Sequence, residues 1–334
     1  MSNGRKKINW LLILQGWAML WVVIGHAGPC NDLADYPGYG LALYNFAYSF
    51  HMALFMFVSG YLFYLTRISE DVSKKWPYGK MILEKLERFG IPFVIFTLIG
   101  MVIKSVFASQ VDRASALTLS EFINAILYPY NGPVREFWFL GALFWMFVLA
   151  PLWKITLKNK YIALATFAFL IGFSLVDVGT DFLAIRSACS RMCYFYGGML
   201  LSQYDFGNYA VKVKVPNVAI LAMGGAIYVV ARMFELPIIT PWSAIVFSIA
   251  LAKILDQHVP QIFCGFRNYT MQIYLMGLWA QMIVKMVTMR FELPWLLGYI
   301  VSIALGLYVP VLVSKILEKT NWKPLLLCVG LKKR

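Results

Sequence analysis

Charge is scarce in this chain. Only 14% of its 334 residues are Asp, Glu, Lys or Arg, against 60% that are hydrophobic, where a soluble domain carries roughly 25% charged residues. So few charges cannot cover a water-facing surface, and the bilayer is the solvent that this composition fits. Histidine is scarcer still, with three in the chain. The five cysteines (Cys30, Cys189, Cys193, Cys264 and Cys328) make no even disulfide set and show no metal-ligand spacing. Cys189 and Cys193, four apart on one helical face, read as packing residues, and no metal site is expected. A cleavable signal with a small-residue cleavage pattern is also missing, so the first apolar segment reads as a retained span. No internal repeat or low-complexity tract stands out.

What the chain does have is a succession of apolar segments. Each helical residue rises 1.5 Å, so about 20 of them cross the hydrocarbon core. That ruler predicts spans at 10–27, 41–64, 89–107, 137–153, 161–176, 187–203, 216–231, 238–254, 269–288 and 295–314. Backbone in lipid must satisfy its own hydrogen bonds, so each is a helix. The expected fold is therefore all-α: a polytopic integral membrane protein with about ten transmembrane helices. Residues 8–320 are expected to form a single membrane-embedded domain, and 321–334 a short basic cytoplasmic tail.

The net charge of +14 raises nucleic acid as a partner, but the placement of the bases excludes it. They lie in short connections between apolar segments. Arg5, Lys6 and Lys7 precede the first span, and Arg67, Lys74, Lys75, Lys80, Lys85 and Arg88 fill the second connection. Lys154, Lys158 and Lys160, then Lys212 and Lys214, then Lys253 and Arg267 follow at alternate loops, with Lys315 to Arg334 at the end. The intervening loops hold Asp32, Asp35, Asp112, Glu121, Glu136, Asp177, Asp181, Glu235 and Glu292. The positive-inside rule then puts both termini in the cytoplasm. His26 falls near the outer end of span 1 and His51 in the outer half of span 2. The one long outer loop, about 108–136, mixes apolar and polar residues and either lies on the membrane surface or covers an outer mouth.

Ionisable residues inside apolar segments are functional-site candidates, because placing them there costs several kcal/mol. They are His26, His51, Lys104, Arg191 and Lys285, with Arg88, Arg135 and Glu136 at span ends. Histidine is the natural general base near neutral pH; a polar residue seeking the interface at a helix end is the plainer account of His26, and both stand. Lys104 and Lys285 have long stems near span ends and read as snorkelling to the headgroups. Arg88 obeys the charge bias without needing a role, yet its planar fork suits a phosphate arriving from the cytoplasm. Trp138 and its aromatic neighbours fit an interfacial belt and a packed helix equally well.

Several stretches together form a pattern. ILQGWAMLWVVIGH ends in His26; FHMALFMFVSGYLF covers residues 50–63; LEKLERFGIPFVIF surrounds Arg88 and Pro92; FWFLGALFWMFVLAPL runs from Phe137 to Leu152; RNYTMQIYLMG covers 267–277. In this order they resemble the acyltransferase 3 family, multi-pass bacterial membrane enzymes that O-acetylate sugars and surface polysaccharides. His51-Met52 and Ser59-Gly60-Tyr61, following a first-span histidine, are the most specific part. The resemblance implies an acyl group, usually acetyl, supplied by acyl-CoA (acetyl-CoA) on the cytoplasmic side. The acceptor is a hydroxyl of a sugar or lipid-linked glycan at the outer face of a bacterial cytoplasmic (inner) membrane. It makes His26 the catalytic base and Arg88 a holder of CoA phosphates. Trp138, His51, Glu136, Ser59, Gln15 and Arg191 are candidates for binding substrate or lining the path, with no tightly bound cofactor. His51, Arg191 and Ser59 are each open as donors to the developing oxyanion. Membrane lipids are the remaining partner, and the oligomeric state is left open.

Three positions depart from the family pattern. Gln15 replaces the charged residue of span 1, Gly277 replaces a histidine common after isoleucine-tyrosine-leucine, and Ala53 replaces a proline. A divergent donor or acceptor is one consequence. The rival readings are a transport-type protein moving a substrate without chemistry, and a non-catalytic relative that binds a lipid-linked glycan or acyl group. No inverted repeat of the kind transporters carry is visible between the halves.

Overall fold

The structure, a computed structural model, describes residues 8–68, 76–108, 115–204 and 216–331. Arg5, Lys6, Lys7, Lys74, Lys75, Asp112, Lys212, Lys214, Lys332, Lys333 and Arg334, on which part of the charge reading rests, lie outside the described residues. Every regular element among the described residues is helical. In chain order they are α1 (Asn9–His26), α2 (Gly38–Tyr48), α3 (His51–Phe63), α4 (Tyr78–Lys85), α5 (Ile91–Val106) and α6 (Leu119–Leu127). Next come α7 (Trp138–Val148), α8 (Ala150–Thr156), α9 (Lys160–Phe173), α10 (Ile185–Cys189) and α11 (Met192–Tyr204). The chain continues with α12 (Asn217–Met233), α13 (Ile239–His258), α14 (Thr270–Arg290), α15 (Trp295–Thr320) and α16 (Lys323–Cys328).

Among the described residues, five helical runs are long and apolar enough to cross a membrane. They are Asn9–His26, Gly38–Ile68, Tyr78–Val106, Ile239–His258 and Trp295–Thr320. A sixth results if Arg135–Val148 and Ala150–Thr156, bent by 52°, count as one span. Large apolar side chains stand exposed on these and neighbouring helices, among them Val102, Phe169, Ile300, Leu312 and Ile316. A surface of this kind belongs in lipid rather than water. The protein is an all-α, multi-pass membrane protein.

The remaining expected spans differ from this standard for local reasons. The 14 residues of α9 reach about 21 Å, short of the ~30 Å hydrocarbon core. The segment expected at 187–203 is interrupted between α10 and α11, at Ser190–Arg191. α14 has 21 residues but buries Gln272 and Gln281, which dilute its apolarity. The bend between α7 and α8 follows from Pro151, which lacks an amide and whose ring collides with the carbonyl one turn back. Nearby carbonyls find other donors: the Trp153 indole bonds Met146 O at 2.8 Å, and the Tyr78 hydroxyl bonds Val148 O at 2.8 Å.

The chain divides into two compact units, one of Met1–Val58 and Asp205–Val311, the other of Ser59–Tyr204 and Leu312–Arg334. In the first, α1 packs against α2, α13 and α14, and α12 packs on α13. Trp17 bonds Ser248 across α1 and α13 at 3.1 Å, and Met19, Val23, Phe266, Ile273, Leu307 and Val311 form an apolar cluster. In the second, α10 packs on α7 and α11 on α9. The close approach of α3 to α11 requires Gly60, where a Cβ would lie 1.8 Å from the Phe195 carbonyl oxygen. α6 forms within the expected outer loop, started by a Thr118-x-x-Glu121 cap in which Thr118 Oγ1 accepts from the Glu121 amide. α16 lies in the segment expected as a basic tail and buries Leu326, with α16 packed on α5.

Candidate active site

His26 is the last residue of α1, and its imidazole folds back along its own helix. Nδ1 lies 2.8 Å from the Val22 carbonyl oxygen. A carbonyl only accepts, so Nδ1 carries the hydrogen of the neutral ring and the lone pair sits on Nε2. Nε2 in turn lies 3.1 Å from the hydroxyl of Tyr48, at the end of α2. The imidazole is thus held at both nitrogens, with its lone pair turned toward the Tyr48 hydroxyl.

The structure brings His51 to the same place, with its ring centroid 6.3 Å from that of His26. α2 and α3 meet at Ser49–Phe50, where Phe50 N–H turns back to Ala47 O. The His51 imidazole gives the same carbonyl a second bond, from Nδ1 at 2.5 Å. Only 1% of His51 is exposed. With Nδ1 on the Ala47 carbonyl, the neutral His51 ring carries its hydrogen there and its lone pair on Nε2. Its edge meets the Tyr48 ring at 5.0 Å, and the opposite neighbour of that ring is Tyr44 at 4.2 Å. Tyr48 is therefore fixed in orientation while 45% exposed.

Two residues that the sequence reading passed over hold the end of α1. The last carbonyls of a helix lack intrahelical donors. Gln281 of α14 donates from Nε2 to Val23 O at 2.8 Å, and Tyr299 of α15 donates to Ile24 O at 3.2 Å. Gly306 makes room for Gln281, since a Cβ there would come within 3.1 Å of its side chain. Gln281 had a legible signal, a polar amide in an apolar segment; Tyr48 and Tyr299 had none among 19 tyrosines. Gln281→Leu is expected to cost about 1–3 kcal/mol, because a buried carbonyl loses its donor. A lower melting temperature in detergent, with reduced turnover, is the outcome to measure; an unchanged melt would remove the role.

The loop after α1 lines the same end of this unit with rings. Tyr36 packs on Tyr44 and Trp295, Tyr39 on Trp295, and Trp295 stacks on Tyr299 at 4.5 Å. Gly28 admits the Tyr36 hydroxyl, which a Cβ would meet at 1.6 Å. Burial raises the Tyr36 phenol above its usual range, so it stays a neutral O–H. Gln15 lies eleven residues before His26, on the same helical face and about 16 Å along the axis. Ser59, eight residues beyond His51 on α3, is about 12 Å along that helix.

The other unit gathers a second set. Arg191 lies over the Trp138 ring at 4.2 Å and bonds Ser190 Oγ at 2.8 Å, so two candidates from distant spans meet. Glu136 is half-buried in the turn that opens α7, beside Arg135, which covers Tyr130 at 4.7 Å. Facing α7, Leu183 and Ala184 both hold positive φ, 49° and 61°, a conformation costly for residues with a Cβ. Trp145 bonds Leu183 O at 2.9 Å, and Gly141 leaves space for Ala184. Arg88 is exposed in a π-helical turn, Leu86–Gly90, just before Pro92. A matching π-turn, Tyr64–Ile68, ends the second span, and its Arg67 pairs with Glu84 of α4 at 2.6 Å. Single π-turns inside helices are frequent at functional sites. Lys85, three residues before Arg88, places its ammonium 4.0 Å above the Phe147 ring.

Gly277, where the family often has histidine, is a packing position. A Cβ there would stand 2.9 Å from the Gly306 carbonyl oxygen, so α14 and α15 touch through their backbones.

An imidazole at the end of a membrane-crossing helix, oriented through Nδ1 and engaged by a hydroxyl at Nε2, is an arrangement that can take a proton from a hydroxyl. The family model described as an acyltransferase domain, that of the acyltransferase 3 family, matches residues 8–315, and the chain belongs to this family. It is a membrane acyltransferase that O-acylates sugars or glycans. No curated protein and no solved structure matches the chain.

Proposed function

We propose that this protein moves an acetyl group from acetyl-CoA to a hydroxyl of a sugar or lipid-linked glycan, with His26 as general base. The supporting observation is the His26 tautomer, set by Val22 O, which directs the Nε2 lone pair to a hydroxyl. The acceptor hydroxyl and the thioester carbonyl must approach within about 3 Å for transfer. His51 holds the Tyr48 ring, and Gln281 and Tyr299 hold the end of α1.

The donor enters from the cytoplasm, where the guanidinium of Arg88 pairs with CoA phosphates; a guanidinium fork matches phosphate geometry in a way an ammonium does not. Arg191, braced on Trp138, and Glu136 and Ser59 of the same unit bind substrate. Gln15 supplies hydrogen bonds without charge on the same face of α1 as His26. The full topology is ten membrane segments in one domain, residues 8–320, with both termini and the 321–334 tail in the cytoplasm. The membrane is the bacterial inner membrane. Mass spectrometry of surface glycans from cells with and without the gene tests this. Loss of one acetyl group from a defined sugar is the expected result; identical glycan masses in both would leave the transport and scaffold readings in its place.

A further inference from the structure

Both ring nitrogens of His26 are engaged in the structure, Nδ1 by Val22 O and Nε2 by the Tyr48 hydroxyl. An acceptor hydroxyl therefore reaches the base in one of two ways: it displaces Tyr48, or it works through it. Displacement requires a ring free to turn away. The Tyr48 ring is held by Tyr44, tilted 30° at 4.2 Å, and by the edge of His51 at 5.0 Å. His51 is itself anchored to Ala47 O and wholly buried. The Tyr48 side chain is nonetheless 45% exposed. A phenol packed between two rings, bonded to the base and belonging to a residue that is 45% exposed has the geometry of a relay.

We propose that Tyr48 is a second catalytic residue, which carries the proton from the acceptor hydroxyl to Nε2 of His26. This rests on His26 being the base. The acceptor O–H gives its proton to the Tyr48 oxygen as Tyr48 gives its own to Nε2. The acceptor oxygen uses the electron pair of its broken O–H bond to form a C–O bond with the thioester carbonyl carbon. Collapse of the tetrahedral adduct breaks the C–S bond. The leaving thiolate takes the proton from the His26 imidazolium, so both side chains return to their starting forms and acyl-CoA becomes CoA. A tyrosine does this without holding charge, because it receives one proton as it loses another.

Tyr48→Phe keeps the ring contacts with Tyr44 and His51 and removes only the hydroxyl. The relay predicts a fall in kcat of about 100-fold or more, the usual scale for a positioned proton-transfer group, with KM for acetyl-CoA and the melting temperature unchanged. Solvent isotope effects give a readout that packing alone would not move. Rates in mixed light and heavy water should curve for the wild type, as two protons move together, and become linear in Tyr48→Phe. A fluorinated tyrosine placed at position 48 changes phenol acidity at nearly constant shape, and kcat should change with it. An unimpaired Tyr48→Phe, or a rate indifferent to fluorination, overturns the relay. His26→Ala separates the two proposals: abolished transfer there beside a fully active Tyr48→Phe removes the relay alone, and retained transfer there removes the base.

Discussion

Replacing His26 by alanine is expected to abolish glycan acylation while the protein still inserts and accumulates normally. General-base catalysis by a positioned side chain contributes about 10²–10⁴-fold, and the substituted residue has the highest helix propensity of any. His26 is already the last residue of α1, and the last carbonyls of the helix keep their donors from Gln281 and Tyr299. The defect is therefore chemical rather than structural. Acyl transfer from radiolabelled acetyl-CoA to glycan in membrane vesicles, normalised to protein amount, is the measurement. A His26→Ala variant that labels glycan at the wild-type rate would remove His26 from the reaction. A transport-type protein would instead show a flux defect in the same variant with acylation unaltered.

Gly60→Ala is expected to have the largest effect on stability. Its Cβ would stand 1.8 Å from the Phe195 carbonyl oxygen, 2.7 Å from that carbonyl carbon and 3.0 Å from the Cα. These are backbone atoms inside α11, not the tip of a side chain that turns aside. One helix must move, and with it the Phe63 ring, packed on Phe147 at 5.0 Å and Phe195 at 5.7 Å. Overpacking of a core costs about 1–3 kcal/mol where side chains yield, and a backbone obstacle puts this substitution at the upper end or beyond. The expected result is a strongly lowered melting temperature in detergent and little extractable protein, with the adjacent Ser59→Ala close to wild type. Equal melting temperatures for Gly60→Ala and wild type would show that α3 and α11 do not meet as described.

These two residues illustrate how unevenly the site was legible. Ser59-Gly60-Tyr61 stands out in the sequence as part of a motif, but a glycine in an apolar helix carries no sign of what it touches. The same holds for Gly277, which reads as a missing histidine until Gly306 is found against it. His26 and His51 were legible because an imidazole is conspicuous in a segment that otherwise seeks lipid. Their partner Tyr48 was not, because a tyrosine beside Tyr44, in a chain where 16% of residues are aromatic, looks like interface. Arg191 and Trp138 each drew notice alone; 53 positions separate them, and no local rule pairs them.

Composition and hydropathy alone determined the solvent and the helical class, because so few charges cannot face water and backbone in lipid has only itself to bond to. The ordered motifs pointed to the family and singled out His26 as the proposed base. Which tautomer that base holds, what meets its lone pair and what caps the helix that presents it were decided only by tertiary structure. Those properties depend on carbonyls and hydroxyls brought together from positions as far apart as Val23 and Gln281, and a hydrogen bond of 2.8 Å between them leaves no mark in the order of residues along either helix.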